Sequence, residues 1–201
     1  MCYSTALRKS REKIVQKLLS QLPADFEIPE EYQPYFHLNG FTHGNLYIIK
    51  MDEPASIYPA SWGLVPTWAN KDPQSFLKKS NTLNARSETI FEKSSFKQSA
   101  EEQRCLILSD GFYEPHHENG MSIPYFCYQP SKEYPEGDLF MFAGFIRSWM
   151  LMYSPRLYLP QRPMTFSLKS IIKENECLWY WPTIYMKIGL MKDLIFKHSM
   201  N

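Results

Sequence analysis

Apolar and polar positions alternate in short runs along most of this chain, and one stretch carries a clear helical period. In residues 11–22, Ile14, Val15, Leu18 and Leu19 fall on one face, with Ser10 standing where a cap belongs. Lys9, Arg11, Lys13 and Lys17 decorate its start and opposite face and read as a solvated surface. Residues 23–43 are proline-rich and irregular. Residues 45–51 and 56–64 read as strands, the second running into a proline turn. Residues 70–100 are polar with short helical pieces. Residues 104–108 read as a buried strand leading into an Asp110-Gly111 turn. Residues 123–128 and 139–145 read as further strands, joined by the turn-rich 129–138. The pattern predicts one α+β domain, with a mixed or antiparallel, barrel-like β-rich core and flanking helices.

Composition narrows this reading. A chain of 201 residues is long enough for one domain with a real core. Hydrophobic residues make up 44% and aromatics 15%, which excludes a disordered chain. Net charge is +1, so a uniformly basic nucleic-acid binder is excluded and any such site must be a local patch. No apolar run approaches a membrane span, and the basic first 17 residues hold no signal core, so a cytoplasmic protein with no membrane partner is expected. Cys2, Cys105, Cys127 and Cys177 show no paired metal spacing. Cys105 and Cys127 lie in apolar runs and read as inert core thiols. His116 and His117, beside Glu118, read as solvated loop residues. Neither a metal nor a cofactor is expected.

Candidate chemistry sits in three short stretches and at the start of the chain. They are Trp62-Gly63-Leu64-Val65-Pro66-Thr67-Trp68-Ala69, Asn84-Ala85-Arg86-Ser87-Glu88-Thr89 and Asp110-Gly111-Phe112-Tyr113-Glu114. Cys2 follows Met1, a small residue after which the initiator is normally trimmed. The exposed terminus would carry an α-amine and a thiol on adjacent carbons. The amine titrates near about pH 7.7–8.0, so a neutral fraction can attack an aldehyde, and the thiol can close a five-membered ring on the imine. Asn84 and Arg86 lie two apart, so on an extended segment they share a side. A guanidinium there can grip a phosphate while the amide holds the backbone, and Ser87 adds a hydroxyl. The same residues also fit a capped helix start with Arg86 in a surface ion pair. Glu114 at a strand end can hold and move a proton, or sit in a salt bridge. Trp62 reads as core and Trp68, after Pro66, as a surface ring on which a base can stack.

In this order, residues 1–149 resemble the SOS-response-associated peptidase family, the abasic-site processing proteins. The resemblance implies a compact β-rich fold with flanking helices. It implies capture of the abasic-site aldehyde in single-stranded DNA by Cys2 as a thiazolidine, with weak lyase or autoproteolytic activity in a monomer. It further implies that Asn84 and Arg86 hold the DNA and that Glu114 is the acid that expels water. Pro115 departs from the pattern, standing where a tryptophan is usual. Two readings compete with this one: a non-catalytic single-stranded DNA binding module and an N-terminal-nucleophile peptidase.

Beyond Trp149 the resemblance stops. The family pattern calls for a helix bearing a histidine and then Arg-Met-Pro, yet no histidine lies between residues 118 and 197. Back-translation offers a reason. Reading the third base of each codon with the first two of the next, Met164/Thr165 forces Asp, and Asn175/Glu176 forces Arg if no stop is allowed. Residues 164–182 can then read D-F-F-A-E-I-H-N-K-R-K-R-M-P-L-V-L-A. The expected division is therefore a domain core over 1–149 and, over 150–201, an out-of-frame segment replacing the end of the same domain.

Overall fold

The computed structural model describes residues 3–18, 26–86, 88–147 and the backbone of 164–167. In chain order the elements are β1 (Ser4–Leu7), α1 (Arg11–Leu18), β2 (Tyr35–Asn39), β3 (Asn45–Lys50), β4 (Ile57–Ser61), α2 (Pro73–Lys79) and β5 (Asn84–Ala85). They continue with α3 (Lys97–Glu102), β6 (Arg104–Ser109), β7 (Gly111–Glu118), β8 (Met121–Cys127), β9 (Phe140–Ile146) and β10 (Met164–Ser167). Two sheets result, a four-stranded one in the order β2-β1-β7-β8 and a six-stranded one in the order β4-β3-β6-β9-β10-β5. Pairing is antiparallel except between β10 and β5.

The mixed α+β class is as expected, but the sheets do not close into the expected barrel. Two of their outer strands carry proline, Pro59 in β4 and Pro124 in β8, and proline cannot donate to a further ladder. Three strands in the first sheet also escape the apolar pattern. β1 and β2 are short and mixed in polarity, and β7 runs on through His116 and His117. Those two histidines are exposed as expected, but on a hairpin strand rather than a loop. The hairpin turns at Asn119 and Gly120, both at positive φ (51° and 77°), the combination that a tight two-residue turn requires.

The core lies on both faces of β3 and β6. Leu46 and Ile48 enter one cluster with Trp62, Leu83, Cys105, Ile107 and Phe142. Tyr47 and Ile49 turn the other way and meet Leu7, Ile14, Leu18 and Leu108. This explains the unbroken apolar run in β3, since a strand buried on both sides shows no alternation. Helix α1 covers the second cluster through Ile14 and Leu18. Of its cations only Lys13 is exposed as expected. Lys9 is buried, donating to the Gly137 carbonyl and paired with the Glu136 carboxylate. Arg11 donates to the Pro29 carbonyl at 3.1 Å, and Lys17 pairs with Asp138 at 2.7 Å. Cys127, also expected in the core, is only half-buried.

The Asp110-Gly111 step is not a hairpin turn. It carries the chain from β6 in one sheet to β7 in the other. Asp110 is fully buried and accepts from the Arg8 backbone N–H at 2.9 Å and from Arg8 Nε at 3.2 Å. Gly111 is needed for space, since a Cβ there would lie 2.0 Å from Cζ of Phe126.

Trp62 is fully buried and Trp68 is 63% exposed, so the two tryptophans separate into core and surface as expected. Trp62→Ala should lower the unfolding free energy by about 3–5 kcal/mol. Trp68→Ala should stay within about 0.5 kcal/mol. Urea titration of both variants checks this pair of outcomes.

Candidate functional site

The start of the chain is held inside a sheet rather than at an edge. β1 pairs with β2 on one side, Ser4 opposite Asn39, and with β7 on the other, Ser4 opposite Tyr113. Cys2 lies outside the described residues, but its neighbour Tyr3 is fixed on three sides. The Tyr3 carbonyl accepts from Gly40 N–H at 2.8 Å. Its ring stacks on Phe41 at 5.0 Å and 29°. Its hydroxyl accepts from Asn81 Nδ2 at 3.3 Å. The N-terminal strand thus meets the turn at 40–42 and the segment that carries Asn84.

That segment is anchored from below. Trp62 Nε1 donates to the Leu83 carbonyl at 2.9 Å, and Leu83 is itself 2% exposed. Leu64 N–H donates to the Thr82 carbonyl at 3.4 Å. Asn84 and Ala85 form β5, paired in parallel with β10, with Asn84 opposite Phe166. Ala85 turns into a third apolar cluster with Leu64, Ile90 and Phe96. Asn84 is half-buried and Arg86 exposed. The extended reading therefore holds at Asn84, and no helix is capped there; a turn follows, closed by Thr89 N–H on the Arg86 carbonyl at 3.0 Å. Ser87 lies outside the described residues.

Glu114 stands on β7, opposite Tyr125. It shares a face with Phe112, two residues earlier, which packs against the Trp62 cluster as Tyr3 does. Its Oε1 is sealed from solvent. Leu83, Tyr3 and Phe112 thus bury against one cluster; in sequence Asn84 follows Leu83, Cys2 precedes Tyr3 and Glu114 lies two beyond Phe112. Trp68 comes from the same Trp62 segment. It sits on a 3-10 turn, Thr67–Ala69, edge-on to Phe76 of α2 at 5.3 Å and 87°.

The sequence reading missed Tyr3, Phe41 and Asn81, whose roles depend on tertiary contacts. One local signal was available at Asn39. Its side chain accepts from Phe41 N–H at 3.0 Å, an Asx cap on the 3-10 turn Gly40–Thr42. His43 closes that turn in the left-handed region (φ 53°), with Nδ1 2.7 Å from the Trp62 carbonyl oxygen. His116 lies on β7 two residues beyond Glu114, with its ring edge-on to Tyr125 at 5.0 Å. Among the described residues no cluster of metal-binding side chains occurs, and no helix is long and apolar enough to cross a membrane.

The sequence model of the SOS response associated peptidase (SRAP) family matches residues 1–166. The chain belongs to the SRAP family. It is similar to the abasic site processing protein HMCES of Rattus norvegicus, 36% identical over 123 residues, which are 56% of this chain and 34% of that protein. It is also similar to the abasic site processing protein YoqW of Bacillus subtilis, 30% identical over 138 residues, 66% of this chain and 55% of the relative. The matches thus span about a third to a half of these relatives' lengths. A solved protein of Bacteroides thetaiotaomicron superposes with a TM-score of 0.59 at 27% identity, covering 83% of this chain and 67% of that one. One of Bordetella bronchiseptica, at 17% identity and a TM-score of 0.58 over 83% of this chain and 71% of its own, shares the fold.

The cysteines of this SRAP chain differ in setting. Cys105 is buried in the main cluster, and burial pushes its thiol well above the ordinary range, so thiolate is scarce at neutral pH. Maleimide labelling of the native protein should leave Cys105 unmodified until denaturant is added, which peptide mass mapping reads directly.

Proposed function

We propose that this chain processes abasic sites in single-stranded DNA, capturing the sugar aldehyde covalently through Cys2. The observation that carries the reading is the clamp on Tyr3. It ties the residue after Cys2 to the segment leading into Asn84 and Arg86. The names of the rat and Bacillus relatives support the same reading.

The chemistry follows from the groups. With Met1 removed, the Cys2 α-amine adds to the aldehyde and water leaves as the imine forms. The thiol then adds across the C=N bond, its proton passing to nitrogen, and a thiazolidine results. Glu114 is the acid that protonates the departing hydroxyl. It stands half-buried on β7, on the face that Phe112 turns to the Trp62 cluster. Arg86, exposed on a strand end, grips phosphate, and Asn84 and Ser87 hold the backbone beside it. Trp68 offers its exposed ring to a base. The peptidase activity that the family name suggests and the lyase activity implied by the resemblance belong to the same centre, in a cytoplasmic monomer responding to DNA damage.

The division of the chain enters the same proposal. Residues 1–149 carry the domain core, and 150–201 are translated out of frame relative to the ancestral coding sequence. Apart from the backbone of 164–167, that segment lies outside the described residues. The codons of 164–182 decide it: read in the shifted frame, they should give His-Asn-Lys and Arg-Met-Pro without a stop.

Cys2→Ala should abolish a denaturation-resistant adduct with single-stranded abasic DNA while leaving binding to intact single strands in place. Stable crosslinking by that variant would overturn the thiazolidine reading. Loss of Met1 and a mass gain only with abasic DNA separate capture from simple DNA binding and from peptide hydrolysis. Arg86→Ala should weaken binding and lower the log–log salt slope by about 0.7, one phosphate contact on a single strand. Glu114→Gln should slow adduct formation at nearly unchanged affinity, and an identical defect in both variants would defeat this division of roles.

A further inference from the structure

The turn at Gly40–Thr42 presents a large apolar ring to water on a rigid base. Phe41 is 60% exposed. Its backbone N–H donates to Asn39 Oδ1 at 3.0 Å, and Thr42 Oγ1 donates to the Asn39 carbonyl at 2.6 Å. His43 N–H donates to the Gly40 carbonyl at 3.0 Å. Gly40 packs against Trp62 so closely that a Cβ would lie 3.1 Å from the indole. A turn fixed at this many points, with an exposed phenyl at its tip, is held in place to show that ring.

One side of the ring rests on Tyr3, stacked at 5.0 Å and 29°. Tyr3 is bonded to Asn81 on the segment of Asn84 and Arg86, and follows Cys2 in the chain. The ring therefore packs on the residue that follows Cys2 in the chain, on a different turn from Trp68. Its neighbours on the turn and through Tyr3 are polar and exposed, namely Asn39, Thr42 and Asn81, and the segment that Asn81 begins carries the exposed cation Arg86. A protein-docking face would be a contiguous apolar patch. A ring backed by one other aromatic and bordered by exposed amides and a hydroxyl, on a chain segment that leads to a cation, suits a flat π-face on an anionic backbone, which is a nucleobase of single-stranded DNA.

We propose that Phe41, stacked on Tyr3, is a second base-stacking platform. It holds the nucleotide flanking the captured abasic sugar and so helps to set which strand geometries are captured. This rests on the abasic-site reading and deepens it.

The test uses the full chain and a short single strand with a central tetrahydrofuran. This stable abasic analogue has no aldehyde, so affinity is read without capture. Phe41→Ala and Phe41→Leu should weaken binding by roughly 5- to 150-fold, the range for one base–aromatic stack, and Phe41→Trp should retain it. Unchanged melting temperatures would show that the fold is intact. Replacing the base on one flank with a second tetrahydrofuran should weaken binding to the wild type by a similar factor and leave Phe41→Ala unaffected. Wild-type affinity in Phe41→Leu, or equal sensitivity of wild type and Phe41→Ala to the missing base, would overturn the proposal. A parallel arm with natural abasic DNA separates the two readings. Failure of wild type to form an adduct sinks capture, whereas loss of the Phe41 effect with adduct formation intact sinks only the platform.

Discussion

The site depends on the N-terminal strand being hydrogen-bonded on both sides. A chain end normally frays, because ordering it costs conformational entropy that a single edge ladder barely offsets. Here β1 has β2 along one flank and β7 along the other, and Arg8 just beyond it locks onto the buried carboxylate of Asp110. Asp110 in turn begins the crossing from β6 to β7. β1 and the strand that carries Glu114 are thus tied at one ion pair whose carboxylate is fully buried. Breaking such a pair from one side leaves an uncompensated charge, which makes the tie far stiffer than an exposed bridge.

The second constraint is Trp62. Its indole fills the main cluster, donates to the Leu83 carbonyl and leaves Gly40 no room for a side chain. One buried ring thereby sets the positions of the 40–42 turn and the 82–86 segment. Its carbonyl also meets His43. Two of the exposed aromatics, Phe41 and Trp68, sit on short 3-10 turns that both lead back to this ring. Rigid support below exposed recognition groups limits the ordering cost of binding.

β3, β4, β6, β8 and β9 were legible as strands, whereas β5 and β10 were not. β3, β6 and β9 are nearly continuous apolar runs, and both of their faces are covered. β1, β2 and the far half of β7 were not legible. β2 and the far half of β7 meet solvent, β1 is buried but only four residues long and starts with Ser-Thr, and their ladders come from backbone groups that leave no mark on the sequence. The solvated reading of Lys9 failed for a related reason. A lysine can be buried when a carbonyl, a carboxylate and the Tyr134 ring, 4.2 Å away, converge on it from distant parts of the chain.

By itself the sequence determined the family, the α+β class, the core role of Trp62 and the exposure of Trp68. These follow from residue types in a fixed order and from the free energy of burying large apolar side chains. Only the tertiary structure decided that the sheets stay open and that Asp110-Gly111 crosses between them. Only it brought Tyr3, Phe41 and Asn81 to the start of the Asn84–Arg86 segment. Those facts rest on contacts between residues 38 to 104 or more positions apart, such as Tyr3 with Phe41 and Thr5 with Ser109. Local propensity cannot encode contacts of that range, because each is made only when the packing of the whole core brings its partners together.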